Sequence, residues 1–329
     1  MKKFVSVVCA ALSLALVLPL YACGSDKQNG TVHVYMPDGA PAVALASLMH
    51  NGYDGFDFTV VPSETIRGVV SNSTADMAIM PTDAAAALYN GGTDIVMLSV
   101  NTHGNLYMVG GEENISLSDL VGKRLGVIGE GSVPDNTLRI LLNNAEINSE
   151  ISQDAVVGKV ALYYNAATAL IPMFKQGNLD YILLGEPAVT NAVNATGGKI
   201  AMDMQAAWEE AFGGGFPQAC LVAKRSLVKN RKSDVDKFLA AVKESDGWAE
   251  SNPADALEAV ANNMKKGNQT TLKALTAQIV QRCNISAVPA ADAKAECDLY
   301  FAKLHELIAY KLGTPILSKV PDDKFYYQP

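Results

Sequence analysis

The run LGVIGEGSVPDNTLRILL, Leu125–Leu142, comes nearest to a chemical motif in this sequence. Gly129 and Gly131 stand two apart between an apolar stretch suited to a strand, Arg124–Ile128, and a segment suited to a helix, Thr137–Asn144. A dinucleotide-binding turn needs a third glycine at the helix entry, so that helix and strand pack closely. Pro134 stands there instead, and Glu150 and Asp154 lie in a polar stretch rather than at a strand end. The spacing therefore predicts a glycine-permitted strand-to-helix turn. Such a turn still aims backbone N–H groups at whatever lies above the sheet. Other turns add Asp38, Thr82, Asp83, Glu186, His103 and the pair Tyr163/Tyr164. These are hydrogen-bonding and stacking groups. No CxxC and no Cys/His cluster with zinc spacing accompanies them, and no Ser/His/Asp order is recognisable, so no cofactor, metal or catalytic set is expected.

The elements that must position these residues alternate. TVHVYM, FDFTVV, DMAIM and DIVMLSV read as strands, separated by helical stretches APAVALASLMH, SETIRGVVSN and TDAAAALYN. A second series follows: KRLGVIG, KVALYY and LDYILLG, with helices from about Asp135, in NAATALIPMFKQG and in EPAVTNAVNA. Alternation of this kind predicts an α/β protein with parallel sheets. The halves also correspond: Met36-Pro37-Asp38 matches Val133-Pro134-Asp135, and ADMAIMPTDAAA matches LDYILLGEPAVT. Two lobes on one plan are expected, with residues 31–103 and 221–329 in lobe 1 and 104–220 in lobe 2. The chain would cross within Ser99–Gly110 and Phe216–Val228, and two crossings make a hinge. Beyond the second crossing, helices are read in DVDKFLAAVKESDGWAE, ADALEAVANNMKK, TTLKALTAQIVQR and AKAECDLYFAKLHELIAYK. Ligands in open α/β sheets sit beyond the carboxyl ends of strands, so four turns, at 37–41, 80–83, 131–135 and 185–187, are expected to line an interlobe cleft.

The amino terminus sets the compartment. Met1-Lys2-Lys3, an apolar run from Phe4 to Leu20, and Leu20-Tyr21-Ala22-Cys23 have the layout of a secretory signal over residues 1–22. Leu-x-Ala-Cys resembles the lipobox of bacterial lipoproteins, which implies lipidation at Cys23, a tether over 23–30 and attachment to the extracytoplasmic face of the cell membrane. The whole chain carries a formal charge of −8, and loss of Lys2 and Lys3 with the signal takes it to −10. That charge argues against a nucleic-acid partner. Beyond Cys23 the cysteines are Cys220, Cys283 and Cys297; Cys283 and Cys297 are read either as a disulfide or as two buried free thiols.

Taken in order, the lipoprotein start, VYMPDGAPAVALASLM, ADMAIMPTDAAAALYNGG, VNTHGNLYMVG, PDNTLRILLNNAEI, GEPAVT and PDDKFYYQP resemble solute-binding proteins of ABC importers. The type is the nitrate/taurine/aliphatic-sulfonate and thiamine-pyrimidine group. The resemblance covers nearly the whole mature chain. It implies the type II periplasmic-binding-protein fold: two lobes with mainly parallel sheets joined by a two-segment hinge. It also implies a monomer that takes a small-molecule ligand and delivers it to ABC permease and ATPase subunits. By position, the family's ligand contacts fall on Asp38, Gly39 and Ala40, on Pro81 and Thr82, on Asn101, His103 and Asn105, on Ser132 and Val133, on Tyr163 and Asn165, and on Glu186.

Ligand class is read from charge. Arg67 and Arg139 lie beyond the first turns of their helices, and Lys123 and Arg124 start a strand at its far end. With no basic residue at the cleft turns, a neutral or weakly basic pyrimidine-like heterocycle is expected, stacked on a tyrosine. A sulfonate or nitrate held by helix N-termini is the alternative. A thiamine-pyrimidine synthase-like enzyme is a further alternative of the same fold, but the cysteine-rich iron motif of that enzyme is absent. A receptor-coupled sensor of ligand occupancy is not separable from an importer component by sequence.

Overall fold

The computed structural model describes residues 30–309 and 312–329. The signal, Cys23 and most of the tether lie outside the described residues. The first sheet contains β1 (Val32–Pro37), β2 (Phe56–Val61), β3 (Met77–Pro81) and β4 (Ile95–His103). The chain then passes to a second sheet made of β5 (Leu106–Gly110), β6 (Arg124–Val127), β7 (Ser149–Ile151), β8 (Val160–Tyr164), β9 (Tyr181–Gly185) and β10 (Lys199–Asp203). It returns as β11 (Pro217–Lys224), and β12 (Ile285–Pro289) completes the first sheet. The return strand opens at Pro217.

The two sheets share a plan. The order is β2-β1-β3-β11-β4 in the first, with β12 on the edge, and β8-β6-β9-β5-β10 in the second, with β7 on the edge. In each, the strand that has just crossed from the other lobe, β11 or β5, inserts antiparallel between two strands that run the same way. The sheets are thus mixed: β1, β2 and β3 pair in parallel, as do β7, β8, β6 and β9, while β12 is antiparallel to β4. The interior strands are apolar on both faces; Met77–Met80 and Tyr181–Leu184 are buried throughout. Covered sheets have this pattern because helices lie on both sides.

Sequence periodicity located most elements. The stretch 40–50 forms two helices, Ala40–Val43 and Ala46–Asn51, rather than one. In TTLKALTAQIVQR only Ala277–Arg282 is helical. Its first residues follow another path because Thr270 and Thr271 bond to Asp38. The edge strands β7 and β12 and the strand β10 carry too little alternation to be seen in advance.

One buried apolar cluster joins the lobes. It runs from Met80, Met97 and Val222 of the first sheet through Tyr300, Phe301 and Leu304 of helix Ala290–Glu306. It continues into Leu138 and Leu141 of helix Val133–Asn144 and Leu125 and Val127 of the second sheet. A separate cluster, with Ile79, Leu98, Phe238 and Cys283, fills the other face of the first sheet. Cys297 belongs to the lobe-bridging cluster, so the sheet stands between it and Cys283. The described cysteines are free and buried.

Candidate functional site

The strand ends of both sheets meet at the seam between lobes, and each turn solves its own polar problem first. At the end of β6, Gly129 and Gly131 have φ of 66° and 71°, the left-handed region that glycine tolerates best. Ser132 donates to the Gly129 carbonyl at 2.7 Å. The glycines are there for this turn. Helix Val133–Asn144 follows, with Pro134 in its first turn and Asp135 accepting from Gly131 N at 2.9 Å and from the Tyr164 hydroxyl at 2.7 Å. At the end of β3, helix Thr82–Asn90 begins, and Asp83 accepts from Ala84 N at 2.6 Å. Across the seam, Asn136 donates to the second oxygen of Asp83 at 2.9 Å. This bond ties the first turn of one lobe to the first turn of the other.

The surroundings of this bond are dry. Asp83 is 6% exposed and Asp135 1%, and burial pushes the Asp83 carboxyl up to about 6 against its hydrogen bonds. Burial raises Asp135 as well. The Tyr300 hydroxyl is buried beside Thr137, and it is driven well above its ordinary range first by burial and then by Asp83 and Asp135. Thr82 Oγ1, Asn136 Oδ1, Thr137 Oγ1 and the Tyr300 hydroxyl all lack a hydrogen bond of good geometry. The Tyr300 ring packs against Trp208 at 5.6 Å and Phe216 at 6.3 Å between ring centres, so an aromatic wall closes one side.

A second interlobe contact has a different composition. Glu186, at the end of β9, is buried and accepts from Arg282 Nε at 2.6 Å, from Thr190 N at 3.1 Å and from Thr190 Oγ1 at 2.9 Å. Arg282 also donates to Thr190 Oγ1 at 2.6 Å, and its carbonyl accepts from the Tyr107 hydroxyl at 3.2 Å. The cleft turns themselves contain no basic residue, but Arg282 of another element reaches one of them, and the reading of ligand charge from the turns alone did not count it. Arg282 closes helix Ala277–Arg282, 96 residues along the chain from Glu186, and only folding brings the two together.

The remaining candidates divide. Asp38 accepts from Thr270 Oγ1 at 2.7 Å, Thr271 N at 2.6 Å and Thr271 Oγ1 at 2.7 Å, so it pins the 270–271 segment over the β1 turn. Gly39, with φ of 110°, and buried Ala40 lead into the following helix. Pro81 ends β3 beside Thr82, and Val133 is buried as the first helical residue after Ser132. Asn101 is buried, its side chain accepting from Ser99 Oγ at 2.9 Å. His103 sits at the crossing, with Nε2 3.2 Å from Glu296 Oε1 and Nδ1 3.3 Å from Ser286 Oγ. Asn105 is buried, its backbone N–H donating to Gln218 Oε1 at 2.9 Å and its carbonyl accepting from Glu186 N at 3.1 Å. Between these two, Gly104 is held so closely that a Cβ would stand 2.5 Å from the Phe216 ring. Asn165 is exposed and donates to the half-buried Tyr163 hydroxyl at 3.3 Å.

The turn residues Thr82, Val133 and Glu186 thus lie at the seam, while His103, Asn101 and Asn105 belong to the crossing. Asp135 falls in the turn expected to line the cleft, while Asn136, Thr137, Tyr300 and Arg282 were missed. Asp135, Asn136 and Thr137 follow Pro134 directly in the quoted motif. Tyr300 and Arg282 carried no local signal. Two prominent surface depressions lie elsewhere, one beside the Asp76–Lys224 ion pair and one along Val43, Ser47 and Asn284.

The chain belongs to the NMT1-like family, whose model matches residues 42–265. Its fold is that of the substrate-binding proteins of ABC transporters. A Parabacteroides distasonis structure described as an ABC transporter is 22% identical, with 91% of this chain and 99% of that one covered and a TM-score of 0.71. The periplasmic aliphatic sulphonate binding protein SsuA of Escherichia coli is 16% identical over 91% and 92% of the two chains, with a TM-score of 0.63. The periplasmic nitrate-binding protein NrtA of Synechocystis is 14% identical over 88% and 85%, with a TM-score of 0.58. No curated protein matches the chain in sequence.

Proposed function

We propose that the chain is the extracytoplasmic solute-binding component of an ABC importer, holding a small organic molecule at the seam between its lobes. The observation that carries this reading is the meeting of the β3 and β6 turns across a dry contact lined with polar groups, with a second interlobe contact at the β9 turn and the crossing at Gly104. The family and the similar folds support it. The chemistry of the described residues also favours holding over reacting. The Cys220 thiol is pushed up to about 12 by burial, and Ser132 donates to a backbone carbonyl. The permease and ATPase of an importer are the proposed partners, the lobes divide near 104 and 217, and the chain acts as a monomer. Lipidation at Cys23 attaches it to the membrane.

A pyrimidine-like heterocycle remains the favoured ligand. Asp83, Asp135 and the Tyr300 hydroxyl are suited to ring N–H groups, and Trp208, Phe216 and Tyr300 supply the aromatic surface. The second reading is an oxyanion. It is favoured by the sulphonate and nitrate binders among the similar folds, and by the presence of Arg282 at the seam.

The test uses the full chain purified in detergent. Thermal shift against pyrimidines, purines, taurine, alkyl sulfonates and nitrate should find a stabilising compound, and small-angle scattering should register a change of lobe packing with it. If no compound stabilises the protein, and protein isolated from its own cells carries no small molecule by native mass spectrometry, the solute-binding reading fails. Mass spectrometry of membrane-bound protein should find the lipid on Cys23; an unmodified amino terminus elsewhere would refute the anchor.

A further inference from the structure

We propose that the seam between helices Thr82–Asn90 and Val133–Asn144 is built for a cationic nitrogen, an ammonium or amidinium group with N–H donors, held by Asp83 and Asp135. This rests on the solute-binding reading and assigns the chemistry of one end of its ligand.

The first argument concerns the helix ends. Two helix N-termini facing one seam would ordinarily attract an anion, because their free N–H groups carry partial positive charge. Here each end already has its anion. Asp83 accepts from Ala84 N, and Asp135 accepts from Gly131 N. A sulfonate or nitrate placed between them would face two buried carboxylates in the first turns of both helices.

The second argument concerns charge balance. Both carboxylates act on the Tyr300 hydroxyl, so they share one locality. Among the described residues, the hydrogen-bond donors that reach them include Asn136, Tyr164, Ala84 and Gly131, all neutral. Arg67 acts on Asp83 and Arg139 on Asp135 through space, and Arg139 donates to the Ile308 carbonyl. Buried carboxylates without a paired cation are costly. Glu186 has Arg282, and among the described residues Asp83 has no ion pair of that kind.

The third argument is the acceptor surplus. Asn136 Oδ1 is completely buried and accepts no hydrogen bond among the described residues, and the hydroxyls of Thr82, Thr137 and Tyr300 are completely buried without a hydrogen bond of good geometry. Asn136 Oδ1 can only accept, so an N–H group satisfies it where an anion cannot, and the three hydroxyls can turn to accept from the same group.

The test is a calorimetric and thermal-shift comparison of the full chain and its Asp83→Asn variant in detergent. The probes are phenethylamine, benzamidine and 4-aminopyrimidine against nitrate and methanesulfonate. At least one nitrogen probe should bind the native chain and lose tenfold or more in affinity in the variant, while neither anion binds. Binding of nitrate or methanesulfonate with affinity unchanged in the variant overturns the cationic assignment and leaves the solute-binding reading standing. A nitrogen probe whose affinity ignores the substitution also overturns it. If neither class binds, the assignment fails for these probes' chemistry, and native mass spectrometry of the isolated protein then decides the solute-binding reading separately.

Discussion

Two carboxylates hold the lobes together, and they do so on opposite terms. Glu186 is buried against a guanidinium, with Thr190 satisfying its other bonds. Asp83 is buried against an amide, with its own helix supplying the remaining donor. The first contact is electrically closed, so it suits a fixed joint beside the crossing at Asn105, whose carbonyl accepts from Glu186 N. The second leaves charge and acceptors unmatched at the point where both lobes present helix starts. A balanced pair favours one arrangement of the lobes; an unbalanced one gains when a ligand supplies the missing charge.

The largest effect should come from breaking the balanced contact. Arg282→Ala strands the fully buried Glu186 carboxylate, and losing one partner of a buried pair typically costs about 3–5 kcal/mol. Arg282 is 23% exposed on its side chain, so the low end of that range is expected. Chemical denaturation measures it. A loss below about 1 kcal/mol would mean that the pair is solvated and the comparison with Asp83 is unsound.

The unbalanced contact should respond in the other direction. The Asp83 carboxyl is raised to about 6, above the unfolded value near 3.9, so its burial costs nothing below about pH 4. The cost grows between pH 4 and 6 as the unfolded chain ionises first, and it is complete above about pH 6 at roughly 3 kcal/mol. Asp83→Asn removes that cost and loses the bond from Ala84 N, worth about 1 kcal/mol. The variant should therefore be more stable than the native chain at pH 7.5 by about 2 kcal/mol, with the gain vanishing near pH 4. Melting curves across this range check it; a difference that does not change with pH would show that Asp83 is ionised in both states.

A smaller effect is expected at Asp38, which stands outside the comparison and calibrates it. Asp38→Ala removes three hydrogen bonds from Thr270 and Thr271 at a half-exposed site, and should cost about 1–2 kcal/mol. If Asp38 serves only to hold that segment, ligand affinity should be nearly unchanged. A tenfold loss of affinity with little loss of stability would return it to the ligand contacts expected from its position.

Much of the architecture was legible because it is written locally. Apolar runs such as MAIM and YILLG fixed where strands lie. Asp and Pro at helix starts fixed their ends, and the repeated Pro-marked turns revealed one plan used twice. The repeat is not literal. Pro37 closes β1, whereas Pro134 lies inside the first turn of its helix, so equal dipeptides occupy unequal places.

The sequence by itself determined the α/β alternation, the two-fold plan and the turns after β3, β6 and β9. Each depends on spacing over a few residues, where propensity and side-chain period act directly. Only the tertiary structure decided what those turns meet. Arg282 reaches Glu186 from 96 positions away, Tyr300 reaches Thr137 and both aspartates from the far end of the chain, and Asn136 crosses from one lobe to Asp83 in the other. Charge in a cleft is the sum over every element that closes it. A reading of the turns alone counted the carboxylates and could not count the arginine.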